Sequence, residues 1–81
     1  MHMGLYGDKL AAAVAEQLRA ERAAKRWTYK ELAENAGLTE QTVMRYLTEK
    51  RDIPLPEFAA LSDALGVTPG DLINRAIERI Q

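Results

Sequence analysis

The chain has no cysteine and a single histidine, His2. The first absence excludes a disulfide scaffold, a thiol nucleophile and a cysteine zinc site. A lone histidine at the N-terminus leaves too few ligands for a histidine zinc site, and a Ser-His-Asp arrangement is not expected either. Long apolar runs are missing as well. The longest, Leu10 to Ala15, has six residues, where a membrane span needs about 20. No basic segment leads into an apolar one, so a secretory signal is not expected and the reading is of a soluble, cytoplasmic protein without a membrane partner. No glycine-rich loop is placed to cradle a phosphate, and the carboxylates are scattered singly. No enzyme, cofactor or metal is therefore expected.

What is present points to helices. Alanine and leucine account for 23 of the 81 residues, against 12 of valine, isoleucine and threonine together, a balance that favours helix over strand. No stretch alternates polar and apolar residues as a half-buried strand would. The reading is all-α and one domain. The net charge of −1 does not announce a nucleic-acid binder, but its distribution is uneven. Residues 19–51 carry eight basic and five acidic residues, or +3, and the remainder carries −4.

Residues 1–7 read as a flexible lead-in, and 8–81 as the folded domain. Met1-His2-Met3 looks like a remnant of tag removal, and Gly4 and Gly7 suggest loose chain. A first helix is expected from Asp8, its N-cap, to about Lys25, with Leu10, Val14 and Leu18 on one stripe. Thr28 with Glu31 three residues on predicts a capping box, opening a second helix from Tyr29 to Asn35 or Ala36 that stops at Gly37. Thr39 caps a third helix, from Glu40 to about Glu49, whose Val43, Tyr46 and Leu47 face inward. Pro54 and Pro56 bracket the start of a fourth, which buries Phe58, Leu61 and Leu65 and ends at Gly66. Thr68-Pro69 opens a fifth, with Leu72, Ile73, Ala76, Ile77 and Ile80 on its inner face. Its apolar stripe has two readings: a seam between two copies, or packing against Leu10 and Val14 of the first helix. A domain cut from a longer protein is a third reading of the same pattern.

Residues 29–48 thus hold a short helix, a tight turn through Ala36-Gly37-Leu38 and a second short helix. Small Ala33 stands where the two must cross closely, and Leu32, Ala36, Leu38, Val43 and Tyr46 are expected to bury the joint. This is a helix-turn-helix pattern, which presents its second helix to the DNA major groove.

From about Leu18 to Ile73 the chain resembles the Cro/C1-type helix-turn-helix domain of phage lambda-like repressors, the XRE family. The residues that carry the resemblance are Leu18-x-x-x-Arg22, Trp27-Thr28-Tyr29-Lys30-Glu31-Leu32-Ala33-Glu34-Asn35-Ala36-Gly37-Leu38-Thr39, Thr42-Val43-x-Arg45-Tyr46, and Leu61-x-x-Ala64-Leu65-Gly66-Val67-Thr68-Pro69-x-Asp71-Leu72-Ile73. The resemblance implies a five-helix, lambda-repressor-like domain that binds a double-stranded DNA operator, usually as a homodimer. The sequence departs from the family at Tyr29, where glutamine that contacts a phosphate is usual. It departs again at Leu47, often a glutamate paired with the arginine at the Arg22 position, and at Glu49, often glycine.

On the third helix Glu40, Gln41, Met44 and Arg45 are expected to point outward and read bases. Gln41 suits adenine N6/N7, Arg45 guanine O6/N7, Met44 a thymine methyl and Glu40 cytosine N4. Glu40 also repels phosphate and so filters against unspecific binding. Arg22, Tyr29, Thr39, Thr42, Lys50 and Arg51 are the candidate phosphate contacts, with the dipole of the second helix adding to them. Each has a structural counterpart. Gln41 and Arg45 can be ordinary solvated residues, Arg22 a partner of Glu21 or Glu31, Lys50-Arg51 a solvated turn, and Tyr29 with Trp27 a packed corner. The functional reading is a sequence-specific transcriptional regulator, a repressor. The alternative is a protein-interaction module on the same fold, antitoxin-like and binding a protein partner. The near-neutral charge, Glu40 and the apolar fifth helix motivate it.

Overall fold

The computed structural model describes residues 4–48 and 51–81. In chain order it holds α1 (Leu5–Ala24), α2 (Tyr29–Ala36), α3 (Glu40–Thr48), α4 (Leu55–Leu65) and α5 (Pro69–Glu78), with no strand among the described residues. His2, Glu49 and Lys50 lie outside the described residues.

α1 starts earlier than its sequence suggests. Gly4 precedes the first helical residue, and residues 5–7, expected as loose lead-in, form its opening turn. Asp8 is not the N-cap. It sits inside the first turn, where its backbone N–H donates to the Gly4 carbonyl at 2.5 Å. A carboxylate in the first turn complements the helix dipole about as well as one at the cap, so its presence alone does not fix the boundary.

The stops of α1, α2 and α4 share one physical device. In each, one residue past the helix adopts the left-handed conformation: Arg26 at φ 59°, Gly37 at φ 73° and Gly66 at φ 76°. Two backbone N–H groups then turn back to the last carbonyls. Leu38 donates to Ala33 and Gly37 to Glu34 after α2, Val67 to Ser62 and Gly66 to Asp63 after α4, and Trp27 to Arg22 and Arg26 to Ala23 after α1. The residue that follows the left-handed one is apolar each time (Trp27, Leu38, Val67) and packs against the core. Glycine takes this conformation at little cost, whereas Arg26 pays about 1–2 kcal/mol for its Cβ.

The starts are equally local. Thr28 Oγ1 accepts the Glu31 backbone N–H at 3.1 Å, and Glu31 Oε1 accepts the Thr28 N–H at 2.8 Å, completing the expected capping box. Thr68 caps α5 in the same way through the Asp71 N–H at 3.1 Å. Thr28→Ala removes one arm of the box and is expected to cost about 1 kcal/mol. In a domain of this size that lowers Tm by roughly 4–8 °C, as calorimetry would read it. An unchanged Tm would show that α2 does not depend on its cap.

Apolar stripes of all five helices meet in one core. Leu18, Leu32, Val43, Leu47, Leu61 and Leu72 are fully buried at its centre, with Ala13, Val14, Ala33, Tyr46, Phe58, Leu65 and Ala76 around them. Ser62 is buried among them, and its hydroxyl donates to the Phe58 carbonyl at 2.9 Å, so no polar group is stranded there. Ala36 and Leu38, expected to seal the turn, are only half-buried.

Of the two readings of the α5 stripe, packing on α1 is what the fold shows within one chain. Leu72 and Ala76 are buried, and Ile73 and Ile80 pack against the core cluster together with Leu10. Polar bonds hold the two helices together along their edge. Arg75 Nη1 donates to Glu21 Oε2 at 2.6 Å, Gln17 Nε2 donates to the same oxygen at 2.7 Å, and Arg79 Nε donates to Gln17 Oε1 at 2.7 Å. Arg79 Nη1 also reaches Glu16 at 3.2 Å. The hydrogen bond to Glu21 first, and its charge second, raise the Arg75 guanidinium above its ordinary range, so it stays cationic at every pH the fold survives.

Candidate nucleic-acid interface

α2 and α3 form a helical hairpin whose turn is Gly37-Leu38-Thr39. At the head of α3, Thr39 Oγ1 accepts the Thr42 N–H at 3.1 Å, while the Thr39 hydroxyl donates to Thr42 Oγ1 at 2.8 Å. Val43, Tyr46 and Leu47 point into the core. The opposite flank carries Glu40, Gln41, Met44, Arg45 and Thr48, all exposed. For 41, 44, 45 and 48 this follows from the helical period, with 43, 46 and 47 inward; Glu40 is exposed as the first residue of the helix. The four residues expected to read bases therefore share one solvent-facing strip, and Met44, at 41% exposure, is the one large apolar side chain on it.

Arg45 also borders a small polar dimple of about 90 Å³, lined by Thr42, Arg45, Tyr46 and Arg51. Two guanidinium-bearing residues and two hydroxyl-bearing ones meet there, all hydrogen-bond donors suited to an anionic oxygen. Of the expected phosphate contacts, the structure thus brings Thr42 and Arg51 beside Arg45. Thr39 stands one turn away as the cap, and Lys50 falls outside the described residues.

Arg22 and Tyr29 form a separate group. Arg22 Nη1 donates to the Trp27 carbonyl, and its guanidinium carbon lies 4.6 Å from the centre of the Tyr29 ring. Its Nε is buried without a partner among the described residues. Arg22 is engaged at the α1–α2 corner rather than paired with Glu21 or Glu31: Glu21 bonds Gln17 and Arg75, and Glu31 closes the capping box. Trp27 is half-buried in the same corner, with Lys25 Nζ 5.1 Å from its ring centre.

One residue that holds the interface gives no sign in the sequence. Arg19 Nη1 donates to the Leu47 carbonyl, near the C-terminal end of α3. The cation satisfies a carbonyl that has few helical partners there and complements the negative end of the α3 dipole. Its partner lies 28 residues along the chain, so neither spacing nor pattern could have found it. The nearest local signal was only the excess of basic residues late in α1.

A helical hairpin that buries one side of its second helix and displays a polar strip on the other defines a helix-turn-helix domain. The chain belongs to the Cro/C1-type helix-turn-helix DNA-binding domain family, whose model matches residues 17–76. Solved structures agree. The clp gene regulator ClgR from Corynebacterium glutamicum is similar at 25% identity with a TM-score of 0.80, over 88% of this chain and 76% of that one. A second structure of ClgR aligns over 89% of this chain and 94% of its own, again at 25% identity and a TM-score of 0.80. The hypothetical transcription factor NHTF from Neisseria is 31% identical, with a TM-score of 0.76 over 88% of this chain and 82% of that one. A comparison with curated protein sequences finds no match.

Proposed function

We propose that this protein is a sequence-specific transcriptional repressor that inserts α3 into the major groove of a double-stranded operator and acts as a homodimer in the cytoplasm. The observation that carries the reading is the exposed strip of Glu40, Gln41, Met44 and Arg45 on a helix locked from behind by Val43, Tyr46 and Leu47. A rigid helix with outward amide and guanidinium groups supplies the bidentate donors that base edges require. The dimple beside it supplies donors for the backbone: Arg51 and Thr42 hold a phosphate, and Tyr46 adds its hydroxyl. Thr39 and the head of α2, with Tyr29, are further phosphate contacts, while Arg22, bonded to the Trp27 carbonyl, stacks on the Tyr29 ring. ClgR, a clp gene regulator by name, and NHTF support a regulatory role through their shared fold.

The alternative, a module that binds a protein partner, draws on Glu40 at the head of α3 and on the exposed Met44. Selection from random duplexes separates the two. The repressor reading expects a defined sequence among the winners, arranged as an inverted repeat with half-sites about 34–36 Å apart. Affinity for it should fall with salt at a log–log slope of about −0.9 for each phosphate contacted. Winners without a shared sequence would sink the reading.

A further inference from the structure

Packing and hydrogen bonds hold α3 in different ways. Burial of Val43, Tyr46 and Leu47 fixes how deeply the helix sits. Apolar contact has no direction, however, and defines rotation and sliding poorly. Directional bonds set those. At the head of α3 they are short-range. The Thr42 N–H donates to Thr39 Oγ1 at 3.1 Å, the Val43 N–H donates to the Thr39 carbonyl at 3.1 Å, and the Leu38 N–H returns to Ala33 of α2 at 2.9 Å. Gln41 therefore stands on backbone tied closely to α2.

The tail of α3 is held from elsewhere. Carbonyls in the last turn of a helix have no helical N–H to accept. The Leu47 carbonyl is one of these, and it accepts from the Arg19 guanidinium on α1, a charge-assisted bond that joins two helices. Arg19 is itself half-buried and springs from a fixed stretch of α1. Leu18 beside it is fully buried, and Gln17 and Glu21 on either side bond Arg79 and Arg75 of α5. The bond thus refers the tail of α3 to a part of α1 that is anchored on its other edge.

We propose that Arg19 is a positioning residue for base reading. It sets the pose of the C-terminal half of α3, and with it the discrimination exercised by Met44 and Arg45, while Gln41 keeps its own through the head of the helix. A hydrogen bond weakens steeply as its angle and length drift. A small swing of the tail therefore costs a bidentate arginine–guanine pair, which must satisfy two bonds at once. This consequence for DNA rests on the repressor reading; the tether itself does not.

Arg19→Met and Arg19→Lys, each in the full chain, test the proposal. Methionine keeps an apolar stem and removes the donor, and lysine restores one. Amide hydrogen exchange is read first, without DNA. Arg19→Met should speed exchange of residues 44–48 at least about tenfold while α2, α5 and the head of α3 stay as in the wild type. Arg19→Lys should return most of the protection. Selection from random duplexes is read second, with Arg45→Ala and Gln41→Ala marking the base pair that each residue reads. Arg19→Met should lower preference at the Arg45 base pair by about fivefold or more and leave that at the Gln41 base pair unchanged. The salt slope should stay that of the wild type, because no phosphate contact is lost.

A slope shallower by about 0.9 for each copy bound would make Arg19 a phosphate contact and overturn the proposal. Equal losses at both base pairs would do so too. So would exchange that quickens through the whole domain or not at all, or a lysine variant no better than methionine. A wild type that selects no sequence fails the repressor reading, and faster exchange at residues 44–48 then leaves the tether standing alone. Unchanged exchange in a chain whose wild type selects its operator does the reverse.

Discussion

Leu47→Ala is expected to destabilise the domain by about 2–5 kcal/mol, read as a lower urea midpoint with an unchanged slope. Leu47 is fully buried where α3 meets the rest of the core. Truncating it removes four carbons' worth of burial less one and leaves a cavity that close-packed neighbours fill only in part. The total stability of small domains is about 5–15 kcal/mol, so this one change consumes a large share of it. The position matters for function too, because Arg19 anchors α3 through the Leu47 carbonyl. Arg22, which the family resemblance would pair with a glutamate at this position, holds the Trp27 carbonyl instead. Met44→Ala, on the exposed flank of the same helix, should stay within about 0.5 kcal/mol of the wild type. Equal effects at the two positions would mean that α3 is not packed on the face described.

Arg45→Ala should leave the urea midpoint almost unchanged and alter what DNA is chosen. A bidentate arginine–guanine pair discriminates by about 1–3 kcal/mol, so preference at one base pair should fall by about 5- to 150-fold while other positions keep theirs. Arg51→Ala should behave differently. It should weaken all duplexes alike and make the salt slope shallower by about 0.9 for each copy bound, the loss of one phosphate contact per half-site. The contrast is informative because the two residues line the same dimple. Should Arg45→Ala weaken every duplex equally and reduce the salt slope, Arg45 holds a phosphate and the reading of bases falls to Gln41 and its neighbours.

The path from residues to fold was short wherever a signal was local. The Thr28–Glu31 box, the left-handed Gly37 and Gly66, and the Thr68-Pro69 start each depend on groups within about one helical turn, and each appears where its spacing implies. The outward strip on α3 was legible for the same reason, since helical period separates 41, 44 and 45 from 43, 46 and 47, and Glu40 opens the helix. The start of α1 is not fixed by its sequence, because Asp8 suits either the cap or the first turn. The left-handed Arg26 was invisible, because arginine is an unfavourable residue for that conformation; the backbone bonds of Arg26 and Trp27 back to α1 and the packing of Trp27 accompany it there.

The helix count, the hairpin and the polar flank of α3 were thus written in the chain, since backbone capping and side-chain periodicity act over a few residues. Which cations remain available, and which apolar side chains remain uncovered, was decided only by the folded molecule. Arg19 and Arg22 resemble Arg45 and Arg51 in sequence, but carbonyls 28 and 5 residues away claim the first pair. Leu55 resembles Leu61, yet one is open to water and the other sealed. Such outcomes depend on distances between segments far apart along the chain, and no local pattern of residues encodes those distances.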